Sequence, residues 1–348
     1  MLNIQKFPFI FSLILLGIGS FTTLHAQQYL IKFATVAPEG TTWMNVMKEY
    51  DQQVRKESGG RLGFKMYPGA VMGDEKDVLR KIRNGQLQSA GVTGSGLTEI
   101  APKTRILDSP FLFQSYGEVD QVYKTFDTEF TQAINDGGYI LLGWAEVGFV
   151  YVYTNKPVAK QSDMQGVKMW VWEGDPVADA SFKALGISPI PLSISDVLTS
   201  LQTGLIDGVY GPPLAAVSLQ WFTRVKYMMN LPLADACGAV ILDKKKFNEM
   251  PPDIQEILVR NGKIYMAKLT KLSREDNAKS IETLKKQGIK VINVETIGNT
   301  TDFALMGAQA RQYLASGNLK EKGLTPELVK RVESTVLDYR NSQTKKSK

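Results

Sequence analysis

Two tryptophans and a lysine alternate along the segment KMWVW, which spans residues 168–172. Successive side chains of a β-strand point to opposite faces, so Lys168, Trp170 and Trp172 would share one face of a strand. Such a face offers a broad apolar surface, indole N–H donors and an ammonium group at its end. This is the chemistry of non-covalent ligand binding.

Residue counts exclude the common kinds of nucleophilic and metal chemistry. The chain has one histidine, His25, and one cysteine, Cys237. His25 falls in a predicted leader, so the mature chain can form neither a Ser-His-Asp or Cys-His arrangement nor a histidine metal site. Cys237 stands in the apolar run ADACGAVIL, which favours a small buried hydrophobe, and it has no partner for an internal disulfide. We therefore expect no enzyme activity, no metal site and no cofactor, since only lone carboxylates such as Glu146 and Glu173 remain as candidate bases.

The first 26 residues are typical of a secretory signal peptide. Lys6 precedes an apolar run from Phe7 to Phe21, and the small residue Ala26 ends the segment that follows. The run is short for a membrane span, although a retained membrane anchor is the alternative. We expect a soluble, exported protein of the periplasm that begins at Gln27.

The basic charge balance predicts a solvated surface rather than a nucleic-acid partner. The formal net charge is +6, and part of the excess lies in the terminal KKSK. Elsewhere basic and acidic residues are mixed, and the interleaving of aromatic and basic residues found in nucleic-acid binders is missing. We expect residues 336–348 to form a flexible basic tail.

Strand patterns alternate with helical patterns along most of the chain. This order favours an α/β fold with parallel strands and helices on both faces of the sheet. The predicted strands are 29–37, 61–69 and 87–93, and the predicted helices are 41–58, 75–84 and 116–135.

Two segments share one spacing of polar, apolar and glycine residues. Asp77 opens the first and Asp196 opens the second, 119 residues later, and each leads through Val-Leu and a glycine into a strand. Aspartate suits a helix start, apolar residues pack on a sheet, and glycine ends a helix. The match is consistent with two similar α/β domains.

One helix is predicted to be too long for a single small domain. It begins at Pro251–Pro252 and is interrupted only by Gly262 before Gly288. About 35 residues at a rise of 1.5 Å give roughly 50 Å. We expect this helix to bridge both domains and to bend at Gly262.

Several short motifs stand in a fixed order across most of the mature chain. They are Gly59-Gly60-Arg61, Tyr67-Pro68-Gly69, Gly73-Asp74-Glu75, Pro110-Phe111-Leu112-Phe113, Ala184-Leu185-Gly186 and Leu201-Gln202-x-Gly204-x-x-Asp207-Gly208. This set resembles the DctP family, the substrate-binding proteins of tripartite ATP-independent periplasmic (TRAP) transporters.

The resemblance implies a two-domain periplasmic binding protein with a type II-like α/β fold. Its domains would close on a solute, and the long helix would span both. We expect domain I at 27–149 plus 236–275 and domain II at 150–235 plus 276–335. The chain would cross between them near 148–154 and 234–239.

The resemblance also implies three polar anchors for a carboxylate, and this chain lacks all three. The family pattern has two arginines and an asparagine at the positions of Val150, Trp170 and Gly211. Without a paired arginine, a buried carboxylate would cost on the order of several kcal/mol to desolvate. Micromolar affinity needs about −8 kcal/mol, which is roughly ten buried CH₂ groups at about 0.8 kcal/mol each. We expect a neutral or amphipathic ligand larger than a four-carbon acid.

The predicted ligand-binding residues come from both domains. They are Thr42, Trp43, Ser95, Glu146, Val150, Lys168, Trp170, Trp172, Tyr210, Gly211 and Pro212. In the alternative interpretation, Trp170 and Trp172 pack in the core while Arg105 or Lys168 binds a typical carboxylate.

The resemblance implies a receptor that captures a small-molecule solute and presents it to the membrane permease subunits of a transporter. Some relatives with apolar clefts work with a tetratricopeptide-repeat protein, so such a partner is a further expectation. A periplasmic sensor or protein-interaction module is the competing interpretation.

Overall fold

The computed structural model describes residues 28–298, 300–317, 319, 321 and 323–346. The predicted leader and the last two residues of the predicted tail lie outside this range. Residues 336–346 belong to the last helix, and the flexibility expected of the segment that begins at residue 336 stays a prediction. Within the described part of the chain, no helix combines the length and apolar character needed to cross a bilayer.

Twelve strands and eleven α-helices are present among the described residues. The strands are β1 Tyr29–Ala34, β2 Leu62–Tyr67, β3 Ser89–Thr93, β4 Tyr139–Trp144, β5 Gly148–Thr154, β6 Trp170–Trp172, β7 Ile190–Leu192, β8 Gly208–Gly211, β9 Tyr227–Met229, β10 Ala234–Ala236, β11 Gly238–Asp243 and β12 Lys290–Ile292. The helices are α1 Thr42–Glu57, α2 Glu75–Arg83, α3 Gly94–Ile100, α4 Tyr116–Asp136, α5 Pro176–Ala184, α6 Val197–Thr203, α7 Pro213–Ser218, α8 Lys244–Asn248, α9 Pro252–Lys286, α10 Asp302–Ser316 and α11 Pro326–Lys346. The six N-terminal elements predicted from periodicity are all present, with ends within a few residues of those expected.

The first sheet has the strand order β2-β1-β3-β11-β4. Strand β1 is parallel to β2 and β3, as predicted, whereas β11 is antiparallel to both β3 and β4. Periodicity alone could not predict β11, because this strand returns to the sheet from the second half of the chain.

The second sheet has the order β10-β5-β9-β12, with β8 paired to β5. The pair β6-β7 is parallel and is joined to β8 by a bridge between Met169 and Gly208. The order β7-β6-β8-β5 thus repeats β2-β1-β3-β11, and in both cases the third strand is antiparallel to the fourth. This repetition agrees with the shared spacing around Asp77 and Asp196.

The chain passes from the first sheet to the second between Trp144 and Gly148, and it returns between Ala236 and Gly238. We call the first sheet with its helices the first lobe, and the second sheet with its helices the second lobe. Helix α9 packs on α1 and β4 of the first lobe and on α7 and β5 of the second. The predicted two-domain α/β fold with a long shared helix is therefore confirmed.

The predicted domain boundaries stay a proposal. The last helix, α11, lies against α4, and its Leu328 and Val332 share a core with Val122 of the first lobe. We propose that the second lobe ends with α10, which packs on α5.

Gly262 lies in the interior of the continuous helix α9. A Cβ atom at this position would lie 2.4 Å from the carbonyl oxygen of Leu142 in β4. Gly262 therefore permits close packing of the helix on the sheet, and the predicted bend stays a prediction.

Candidate functional site

Residues of both lobes line a cleft with a cavity of about 200 Å³. An engineered cavity of about 150 Å³ can hold benzene, so this one has room for a molecule somewhat larger than a single ring. Thr35, Trp43 and Ser95 contribute from the first lobe, and Trp172 and Pro212 contribute from the second.

A cluster of aromatic rings forms the wall of the second lobe. The Trp170 ring stacks on Tyr210 at a centroid distance of 5.0 Å and meets Trp221 edge-on at 5.4 Å. Trp172 lies beside Trp170 at 6.0 Å. Trp170 lines the cleft but is only 1% exposed, so the same ring also belongs to the core of the lobe.

Both indole N–H groups of strand β6 are used within the protein. Trp170 Nε1 donates to the carbonyl oxygen of Leu192 at 3.0 Å, and Trp172 Nε1 donates to Asp74 Oδ2 at 2.9 Å. The two tryptophans therefore offer the ligand ring surface rather than N–H donors. The hydroxyl of Tyr210 accepts the backbone N–H of Trp172 at 3.3 Å, which leaves its own proton for another acceptor.

Two glycines make room for aromatic rings in the cleft wall. A Cβ on Gly91 would lie 2.6 Å from the Trp43 ring, and a Cβ on Gly211 would lie 3.0 Å from the Trp221 ring. At the position where the resemblance predicts a polar asparagine, the chain thus has Gly211, and the Trp221 ring fills the adjacent space.

Arg105 is the cation in the cleft wall among the described residues, and two carboxylates and a hydroxyl already surround its guanidinium. Its Nη2 donates to both oxygens of Asp175 at 2.9 and 3.1 Å, and its Nη1 donates to Thr98 Oγ1 at 2.7 Å. Its Nε lies 2.9 Å from Asp108 Oδ2. Burial lowers the pKa of Arg105, but the Asp175 and Asp108 carboxylates outweigh this effect and raise it.

Asp108 also joins Arg105 to the second crossover. It accepts the backbone N–H of Cys237 at 2.7 Å and the Cys237 thiol at 3.0 Å. Burial raises the pKa of Asp108 although Arg105 opposes this, and burial beside Asp108 raises the pKa of the Cys237 thiol. Cys237 is thus a buried thiol, as its apolar surroundings in the sequence predicted.

Three side chains in the cleft wall have polar atoms without a hydrogen-bond partner among the described residues. These atoms are the hydroxyl of Ser95, Nε of Arg105 and both carboxylate oxygens of Asp235. Asp235 is fully buried, and burial together with Glu146 and Asp108 raises its carboxyl pKa well above the ordinary value. In the part of the chain that the structure covers, no group of three or more His, Cys, Asp or Glu residues is arranged to hold a metal ion.

The structure brings most of the sequence-predicted site residues together in this cleft. They are Trp43, Ser95, Val150, Trp170, Trp172, Tyr210, Gly211 and Pro212. Their roles in ligand binding stay a prediction.

Three predicted site residues are not among those that line this cleft, and their roles in ligand binding also stay a prediction. Thr42 donates its hydroxyl to Asp276 of α9 at 2.5 Å. Glu146 pairs with Arg274 of α9 at 2.5 Å, on the far side of the first crossover. Lys168 is exposed, and its Nζ donates to the carbonyl oxygen of Gly204. It lies two residues before β6, which begins at Trp170.

Sequence reasoning missed most of the ionic part of the site. The cleft is also lined by four residues that were not predicted, which are Asp108, Asp175, Asp235 and Trp221. Arg105 was considered only as an alternative anchor. The spacing of Arg105 and Asp108 and the N-cap pattern Asp175-Pro176 were usable signals. Nothing near Asp235 in the sequence marks it as a site residue.

A family model described as bacterial extracellular solute-binding protein, family 7 (DctP), matches residues 33–310. The curated relatives include the 2,3-diketo-L-gulonate-binding periplasmic protein of Escherichia coli, 24% identical over 287 residues, which cover 81% of this chain and 86% of the relative. They also include the C4-dicarboxylate-binding periplasmic protein of Rhodobacter capsulatus, 23% identical over 82% of this chain and 83% of the relative.

The fold is also similar to solved structures of TRAP periplasmic solute-binding proteins. A protein from Xanthobacter autotrophicus with bound β-D-galacturonate matches with a TM-score of 0.79 and 20% identity, over 87% of this chain and 99% of that one.

Proposed function

Because this chain belongs to the DctP family of bacterial extracellular solute-binding proteins, the periplasmic receptors of TRAP transporters, we propose that its two lobes close on a largely apolar solute. The solute is neutral or amphipathic rather than a small carboxylate. As a receptor of this family, the protein binds a small solute and delivers it to a membrane permease, and it is not an enzyme.

The observation that carries the proposal is the state of Arg105. Its guanidinium is ion-paired with Asp175 and Asp108 and donates to Thr98, so among the described residues that line the cleft no unpaired cation is left to form an ion pair with a ligand carboxylate. A buried acid without such a pair would lose its hydration without compensation, on the order of several kcal/mol. The aromatic wall supplies apolar surface instead, at roughly 25 cal/mol per Å² buried.

A receptor for a typical carboxylate is the second candidate. Arg105 does lie in the cleft wall, and a neighbouring structure has β-D-galacturonate bound. An acid would have to displace Asp175 or Asp108 from the guanidinium and leave a second carboxylate buried. This cost favours the apolar ligand.

The finer expectations from the sequence remain part of the proposal. We propose that residues 1–26 are a cleaved signal peptide and that the mature protein begins at Gln27. A tetratricopeptide-repeat partner rests on the resemblance alone, and so does the alternative role as a periplasmic sensor. Loss of solute uptake in a cell that lacks the receptor would support transport over sensing.

The ligand class is tested by native mass spectrometry of protein purified without denaturation, followed by identification of the released compound. We expect an apolar compound with about ten carbons, and no thermal shift with D-galacturonate or D-erythronate. A shift of several degrees with either acid, lost in Arg105→Gln, would establish the carboxylate receptor instead, since about 1 kcal/mol of binding moves Tm by roughly 2–4 °C in a protein of this size class.

A further inference from the structure

The charged side chains in the cleft wall are not balanced. The described residues that line it include three with carboxyl groups, which are Asp108, Asp175 and Asp235. Arg105 is the one among them with a positively charged side chain. Arg105 pairs with Asp108 and Asp175. The cleft wall therefore has more carboxyl groups than cationic groups before any ligand enters.

Asp235 is the carboxylate that has no counter-charge in contact with it. It lies in β10, which pairs with β5 at the crossovers, and it is fully buried. Neither of its oxygens has a hydrogen-bond partner among the described residues. Burial and the neighbouring Glu146 and Asp108 carboxylates raise the pKa of Asp235 and so favour its protonated form. A cation beside Asp235 would oppose these effects and favour the ionised form. Buried carboxyl groups without a hydrogen-bond partner are rare in folded proteins. A ligand group that donates a hydrogen bond to Asp235 would explain this one.

The remaining wall of the cleft is suited to a cation with an apolar body. Trp170, Trp172, Trp221 and Tyr210 all contribute to it. The face of an aromatic ring carries partial negative charge and attracts a cation within about 6 Å of its centroid. Aromatic faces combined with a carboxylate are the chemistry that binds protonated amines and quaternary ammonium groups.

We propose that the ligand of this receptor carries a protonated amine or quaternary ammonium group on an apolar body, with Asp235 as its counter-charge. This inference rests on the proposed function, because it takes the cleft as the solute site, and it adds the sign of the ligand's charge. The cavity of about 200 Å³ suits a body of about one ring.

Three probes of one shape and different charge test the sign directly. They are phenethylamine, 2-phenylethanol and phenylacetate, titrated into the purified full-length mature protein by calorimetry at pH 7. We expect phenethylamine to bind at least tenfold more tightly than 2-phenylethanol, and phenylacetate to bind most weakly. Tighter binding of phenylacetate than of phenethylamine would overturn both this inference and the proposed apolar ligand.

Equal binding of phenethylamine and 2-phenylethanol, with phenylacetate weaker, would overturn the inference alone. The apolar cleft of the proposed function would then stand. The two ideas can therefore fail separately in one experiment on the unmodified protein.

The variant Asp235→Asn tests the assigned counter-charge. It removes the charge without changing the shape, so we expect affinity for phenethylamine to fall at least tenfold and affinity for 2-phenylethanol to stay within twofold. The control Asp179→Asn, at a half-exposed position of α5, should leave both affinities unchanged. An equal loss of affinity for both probes would show a structural role for Asp235 and contradict the assignment.

Discussion

Asp175 serves a helix and the cleft with one carboxylate. Its Oδ1 accepts the N–H groups of Val177 and Ala178 at 2.9 and 3.3 Å and so caps α5, while both oxygens accept from Arg105. Removing an N-cap costs about 1 kcal/mol, and leaving a buried carboxylate without its cation costs more. A ligand acid that competes for Arg105 would have to meet both costs. The cap therefore helps to keep the guanidinium unavailable.

Glu75 gives a prediction about the pH dependence of stability. The buried carboxyl accepts the N–H groups of Thr93 and Gly96 at 2.9 and 2.7 Å, and burial raises its pKa from 4.5 to about 8. Between these values the folded protein keeps a proton that the unfolded chain releases, so the free energy of unfolding falls as pH rises from about 4.5 to 8. One such group contributes up to about 1.4 kcal/mol per pH unit.

We expect Glu75→Gln to reduce the slope of the free energy of unfolding against pH by the amount that corresponds to about one proton, measured by urea unfolding from pH 5 to pH 9. The glutamine amide places an N–H group beside a backbone N–H donor, so the variant will be less stable at every pH. The dependence of the free energy of unfolding on pH is therefore the quantity to compare. Glu99→Gln, at an exposed position, is the control and should leave the slope unchanged. An unaltered slope in Glu75→Gln would mean that Glu75 is ionised throughout this range.

The apolar half of the site could be predicted from sequence and the ionic half could not. Val150, Trp170 and Gly211 were found because a resemblance fixed their positions, and the structure places all three in the cleft wall. Asp235 and the Arg105–Asp175 pair depend on contacts between residues distant in sequence, which no local spacing records. Lys168 was predicted to share a strand face with Trp170 and Trp172, but β6 begins two residues after it and the residue is exposed.

At the scale of elements, α9 depends on close approach to the first sheet. Gly262 is buried where the helix lies over Leu142, and an added Cβ would fall 2.4 Å from a backbone oxygen of β4. Alanine would gain about 1 kcal/mol of helix propensity over glycine. Overpacking against backbone costs about 1–3 kcal/mol, and the oxygen cannot move without shifting the strand.

We therefore expect Gly262→Ala to lower the free energy of unfolding by up to about 2 kcal/mol, measured by urea denaturation. Lys263→Ala, at the next and exposed position of the same helix, should have little effect. A stabilised Gly262→Ala variant would show that propensity prevails and that the helix can move away from β4.

The elements themselves were predictable where their periodicity was strong. Helix α1 buries Met47, Tyr50 and Val54 on one face, and α9 began and ended where its prolines and Gly288 indicated. The pairing of β11 was not predictable, because its antiparallel register depends on the chain's return from the second lobe. Local patterns specify an element, whereas its neighbours depend on the path of the whole chain.

At the scale of the whole molecule, contacts between the lobes hold the cleft closed in this structure. Asp74 of the first lobe accepts from Trp172 Nε1 at 2.9 Å and from Ser193 Oγ at 2.9 Å, both in the second lobe. Its other oxygen accepts the N–H of Glu75 at 2.7 Å at the start of α2. The Arg105–Asp175 pair forms a second bridge between the lobes. Because closure brings both walls onto the ligand, these bridges contribute to affinity in addition to any direct contact with it.

Weakening the Asp74 bridge should open the molecule and lower affinity. Asp74→Ser keeps a capping hydroxyl for α2 but is too short to reach Trp172, and Trp172→Phe removes the donor from the other side while it keeps a ring. Loss of one or two hydrogen bonds to a charged group costs about 1.5–3 kcal/mol, which lowers the ratio of closed to open molecules about ten- to a hundredfold.

We expect small-angle X-ray scattering to show a larger radius of gyration for both ligand-free variants, with ligand restoring the wild-type value. The double variant should be no more open than Asp74→Ser alone, because Asp74→Ser already removes the hydrogen bond that Trp172→Phe removes. Fully additive opening, or unchanged scattering in both single variants, would mean that the lobes are held together by other contacts.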